Sequence, residues 1–109
     1  MLDRTVIIDP PESQVVMAGK EVSFWCNATT DAGELTHLKI EWMKNDVLLT
    51  TEESDQWSIL DGGRRLTMKH IAVADSGRYT CTADNGLDSD SITVSLTVKG
   101  NFLLYLCIV

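Results

Sequence analysis

The chain has 109 residues, enough for one domain with a sizeable core, and 44% of them are hydrophobic. Sixteen Asp and Glu against nine Lys and Arg leave a net charge of −7, which argues against nucleic acid or an anionic membrane surface as partner. No apolar run approaches the roughly 20 residues of a membrane-spanning helix, and Met1-Leu2-Asp3-Arg4 has none of the features of an export signal.

Thr5 to Ile8 is β-branched and strand-like, and Pro10-Pro11 must interrupt it because neither proline can donate to a ladder. The strand therefore resumes at Gln14-Val15-Val16, and Ala18-Gly19-Lys20 turns into the next one. There, alternation predicts Val22, Phe24 and Cys26 inward and Ser23, Trp25 and Asn27 outward. An outward Trp25 is read first as covered by a neighbouring side chain and second as a contact patch. Thr29 to His37 is polar and reads as a loop; Leu38, Ile40 and Trp42 then point inward. Asn45-Asp46 is a turn into Val47-Leu48-Leu49, and the acidic stretch from Thr50 to Gln56 is expected to be exposed. Trp57 to Leu60 and a strand bearing inward Leu66 and Met68 flank Asp61-Gly62-Gly63, a hairpin signal, and Ile71 closes the core. Tyr79, Cys81 and Ala83 share one face of the following strand, and Asp84 to Asp88 is expected to form a turn with Asn85-Gly86 at its centre. Ile92, Val94, Leu96 and Val98 alternate along the last strand.

Asp75-Ser76-Gly77-Arg78-Tyr79-Thr80-Cys81, with Cys26 and Trp42 upstream, resembles the immunoglobulin fold. The split first strand, Gly19, Trp42 to Asn45 and Leu66 to Met68 narrow this to the I-set. The resemblance implies an all-β Greek-key sandwich of two antiparallel sheets over residues 1–100, with 101–109 a short hydrophobic tail outside the domain. It implies a Cys26–Cys81 disulfide with Trp42 packed on it, and a tyrosine corner formed by Asp75, Gly77 and Tyr79. Closing that 55-residue loop would stabilise the fold by about 4 kcal/mol in the chain-entropy model, and it implies an oxidising compartment. Cys107 is left over. Thr30-Asp31 ahead of Leu38 to Trp42, and Leu87-Asp88-Ser89 leading to Leu96 to Gly100, resemble the last immunoglobulin domain of neuroglian- and contactin-type neural adhesion molecules. There is no Arg-Gly-Asp, so integrin binding does not carry over, and the tail Asn101 to Val109 matches no part of that family's link to its next domain.

Other chemistry is thinly represented. Asn27-Ala28-Thr29 is an N-glycosylation sequon, and Asn27 is a candidate acceptor. Asp84, Asp88 and Asp90 lack the spacing of a calcium loop, and His37 and His70 are too few and too isolated for zinc. No nucleophile elbow supports catalysis. Arg64 or Arg65 is expected to pair with Asp75, or else to lie in solvent. The expectation is therefore an extracellular adhesion module without enzymatic activity, cofactor, metal, nucleic-acid or small-molecule partner. It would act by protein–protein contact, homophilic or heterophilic, and as a spacer within a larger secreted or membrane-attached protein. The rival expectations are a ligand-binding domain of a receptor kinase or phosphatase, and an intracellular muscle-type structural domain.

Overall fold

Strict alternation along one strand sets the centre of the molecule. In β9 (Gly77–Asp84), Tyr79, Cys81 and Ala83 are buried while the residues between them reach the outer face. The computed structural model describes residues 4–50 and 56–100; the tail expected at 101–109 and most of the acidic stretch after Thr50 lie outside them. Around β9 the described residues form β1 (Val6–Asp9), β2 (Gln14–Met17), β3 (Val22–Trp25), β4 (Asn27–Thr29), β5 (Lys39–Lys44), β6 (Val47–Leu49), β7 (Trp57–Leu60), β8 (Arg65–Met68) and β10 (Ser89–Lys99).

One layer is a five-stranded sheet in the order β2-β10-β9-β5-β6. The other is formed by β3-β8-β7, extended by the β1–β4 pair, since β3 and β4 are halves of one strand separated only by Cys26. At that break the Cys26 amide donates to Arg64 O at 2.8 Å. All pairings are antiparallel except β2 with β10, which run parallel with Gln14 beside Leu96 and Met17 beside Lys99. The parallel pair arises because Pro10-Pro11 takes the chain out of β1 and across to the opposite layer, where it joins the last strand.

The core lies between the layers. Val22, Phe24, Cys26 and Leu66 of one layer face Ile40, Trp42, Tyr79, Cys81, Leu96 and Val98 of the other, with Ile71 closing one end. The Phe24 ring stacks on Tyr79 at 5.5 Å between centroids and lies tilted against Trp42 at 6.1 Å. These three rings are the largest fully buried side chains among the described residues, and burying apolar surface stabilises the fold by about 25 cal/mol per Å².

Three details differ from the sequence expectation. The polar segment before Leu38 contains a 3-10 coil, Ala32–His37, whose first turn is capped by Asp31 Oδ2 accepting from Gly33 N. Leu38 ends that coil, so β5 begins at Lys39. Asn85-Gly86 is not the centre of its turn: Asp84 pairs with Ser89, which leaves the four residues Asn85 to Asp88 as the connection. Asn85 is buried at its start, and its Oδ1 accepts from the amides of Leu87 and Asp88, both at 2.8 Å. The side chain thus replaces the backbone pairing of a two-residue hairpin.

Gly63 shows how closely the layers meet. Its φ is +95°, and a Cβ there would lie 2.3 Å from Ile40 O, while its own carbonyl accepts the buried Trp42 Nε1–H at 2.7 Å. Gly63→Ala is therefore expected to cost at least about 3 kcal/mol of unfolding free energy, read from urea melts followed by tryptophan fluorescence. A cost below about 1 kcal/mol would show that the β5 backbone yields to the added methyl.

Candidate contact surfaces and the framework that holds them

Cys26 and Cys81 are bonded across the layers with their Cα atoms 6.6 Å apart. Trp42 is the register partner of Cys81 on β5 and is fully buried, so the indole, the bridge and Tyr79 belong to one packed cluster.

At the corner, Tyr79 Oη donates to Asp75 O at 2.6 Å, and Asp75 Oδ2 accepts from Ala72 N at 2.7 Å, which caps the 3-10 turn Val73–Asp75. Gly77 leaves room for Asn45, whose Oδ1 accepts from Arg78 N at 2.9 Å. The expected arginine partner of Asp75 is not found. Lys44 takes that place, with Nζ 4.0 Å from Asp75 Oδ1 and 3.1 Å from Ala74 O. Both arginines are held elsewhere by nearer acceptors and rings. Arg64 donates to Asn27 Oδ1 and Asp61 O; Arg65 lies over the Trp25 ring, 5.0 Å from its centroid.

The two poles are built differently. At one, Thr5, Thr30 and Asn85 are buried polar residues joined in a chain: Thr5 Oγ1 meets Thr30 Oγ1 at 3.0 Å, and Asn85 Nδ2 donates to Thr30 Oγ1 at 2.8 Å. Asp88 completes it by accepting from the Thr5 amide and hydroxyl. The Thr5 hydroxyl bond is the main reason the Asp88 carboxyl sits below its usual range. Asp90 accepts from Ile7 N and Asp84 from Gly86 N, so each aspartate of the acidic trio holds its own chain. Among the described residues no group of three ligands is placed for a metal. At the other pole Lys99 O accepts from Ala18 N, and Ser76 Oγ accepts from Val98 N. The chain therefore enters beside the β9–β10 turn and leaves at the opposite end of β10.

The outer faces also differ. On the five-stranded sheet the outward row is hydroxylated, with Thr80 Oγ1 and Thr93 Oγ1 2.8 Å apart. On the other layer Trp25, Arg65 and Leu60 form one register row. Trp25 is 53% exposed even with the guanidinium over it. Asn27 lies on this same face, half-buried.

A two-layer sandwich pinned by a buried disulfide, with a tryptophan and a tyrosine corner at its centre, defines an immunoglobulin-type domain. The chain matches the immunoglobulin I-set domain over residues 5–98 and belongs to that family. It is 33% identical over 98 residues to neural cell adhesion molecule L1 of Takifugu rubripes, covering 90% of this chain and 8% of that protein. It is 35% identical over 96 residues to neurofascin of Gallus gallus, covering 88% of this chain and 7% of that one. The chain thus spans less than a tenth of either relative. Among solved structures it is similar to the N-terminal Ig1-2 module of the Drosophila receptor protein tyrosine phosphatase DLAR. That likeness has a TM-score of 0.79 and 30% identity, over 91% of this chain and 50% of that one.

Sequence reasoning missed Asn85 and Lys44. Nothing in the local pattern marks a buried amide; the only cue for Lys44 is its place one residue before the Asn45-Asp46 turn, which brings it to the corner.

Burial, reinforced by the Asp75 charge, pushes the Tyr79 hydroxyl from its ordinary 10.0 up to about 12. The folded state thus keeps the proton that the unfolded chain releases. Stability from this source is complete below pH 10 and falls as pH rises from 10 to about 12. Tyr79→Phe is expected to cost about 1 kcal/mol at pH 7 through loss of the Asp75 bond, and to flatten the decline in stability above pH 10. Urea midpoints of both proteins at neutral and alkaline pH test this; parallel declines would refute it.

Proposed function

We propose that this domain is an extracellular module of a neural cell adhesion molecule, acting in cell–cell adhesion by protein–protein contact and as a rigid spacer between neighbouring domains. The observation that carries the reading is the likeness to L1 over 90% of this chain. The pole geometry supports the spacer role. A chain that enters at one end of β10 and leaves at the other sets its neighbours apart by the length of that strand, eleven residues, or about 35 Å. The bridge keeps the two layers from sliding, so the distance is fixed. A second reading, a ligand-binding domain of a receptor phosphatase ectodomain, is favoured by the likeness to DLAR. It differs in the partner, not in the mechanics.

Two measurements test the proposal. In cells that make the native protein, Cys26 and Cys81 are expected to be oxidised and the domain to react with a reagent that does not cross membranes. Beads coated with the domain are expected to cluster with one another or with neural cell surfaces. A reduced pair out of reach of the reagent would replace this reading with the intracellular muscle-type one. Beads that bind neither each other nor neural cells would refute the adhesive role.

A further inference from the structure

Asn27 stands in a sequon, and the geometry around it is that of a seat for a sugar. Its amide orientation is forced: Oδ1 accepts from Arg64 Nε at 3.0 Å and from Ala28 N at 2.9 Å, and both neighbours can only donate. Nδ2, the atom that would carry a glycan, is therefore turned away from them and has no hydrogen-bond partner among the described residues. A glycan on Nδ2 leaves Oδ1 unchanged, so the Arg64 bond survives the modification.

Beside Asn27 lies an open groove of about 290 Å³ lined by Asp9, Trp25, Cys26, Asn27, Asp61 and Arg64. Ligand pockets run from roughly 300 to 1,000 Å³, so this groove is too small for most free ligands but suits one pyranose ring tethered at its edge. One wall is the Trp25 indole, half-exposed although the Arg65 guanidinium lies over its ring, and the C–H edge of a sugar can pack on the surface that remains. The rim offers the Asp9 and Asp61 carboxylates, acceptors for sugar hydroxyls. Tethering also removes most of the association cost that would defeat so small a contact.

We infer that Asn27 is N-glycosylated and that the first N-acetylglucosamine sits in this groove against Trp25. The sugar covers the part of Trp25 that lines the groove and turns an exposed aromatic into part of a glycan-bearing face. The hydroxylated face of the five-stranded sheet is then the one left open to proteins. The inference rests on passage through the secretory pathway, as the proposed function requires. The test below supplies that route itself, so surface labelling of the native protein judges the adhesion reading separately.

The full chain, behind an added signal peptide, is secreted from mammalian cells, and Asn27 occupancy is read by mass spectrometry after enzymatic glycan release in heavy-oxygen water. Asn27 is expected to be modified. Hydroxyl-radical oxidation of Trp25 is expected to be about twofold slower than in the sequon-dead Thr29→Ala variant. Trimming to a single N-acetylglucosamine should keep the protection and complete enzymatic removal should abolish it, a comparison that does not depend on the variant folding. An unmodified Asn27 in the secreted chain overturns the site. A modified Asn27 with Trp25 oxidised at the same rate with and without its sugar overturns the seat.

Discussion

The bond between Cys26 and Cys81 is the constraint on which the rest depends. It ties the centre of β9 to the break between β3 and β4, a covalent cross-link between the two layers at the middle of the core. Everything large in the core is arranged around it. Trp42 sits beside Cys81 on the next strand, Phe24 lies two residues before Cys26, and Tyr79 two before Cys81. With so few aromatic residues in the chain, stacking three of them at the bridge gives a small domain one well-defined packing rather than several loose ones. The tyrosine corner then fixes where the chain turns into β9, and so fixes the register of the sheet that Trp42 belongs to.

Much of this was legible in the sequence because it is written locally. Alternation through Val22, Phe24 and Cys26, through Tyr79, Cys81 and Ala83, and through Ile92 to Val98 gives strand and face together. Pro10-Pro11 marks the split of the first strand. What was not legible depends on contacts between distant residues. The network of Thr5, Thr30, Asn85 and Asp88 joins positions up to 83 apart, and each of its members looks like an ordinary loop residue until the fold removes water from around it. The Arg–Asp75 expectation failed for a similar reason. Charge alone makes either arginine a partner, but Asn27 and Trp25 hold them on the far layer, and only Lys44 is within reach of the corner.

The same logic separates what is framework from what is surface. The acidic trio could look like a binding site in one dimension; in three, its carboxylates fasten β1 and the β9–β10 turn. Trp25 and Asn27, by contrast, contribute nothing to the core and lie together on an outer face. The family match gives the fold class, while the physical distinction between side chains that fasten the chain and side chains on an outer face separates framework from surface.

The parallel pairing of β2 with β10 has a mechanical consequence. Tension applied between the entry and exit poles runs along these two strands, so their hydrogen bonds are loaded in shear and must fail together. A hairpin pulled open from one end breaks its bonds in sequence, each at low force. The crossing forced by Pro10-Pro11 therefore places a mechanical clamp in the load path, ahead of the disulfide, and the short edge strand β2, which looks most dispensable, is the one that takes the load from β10.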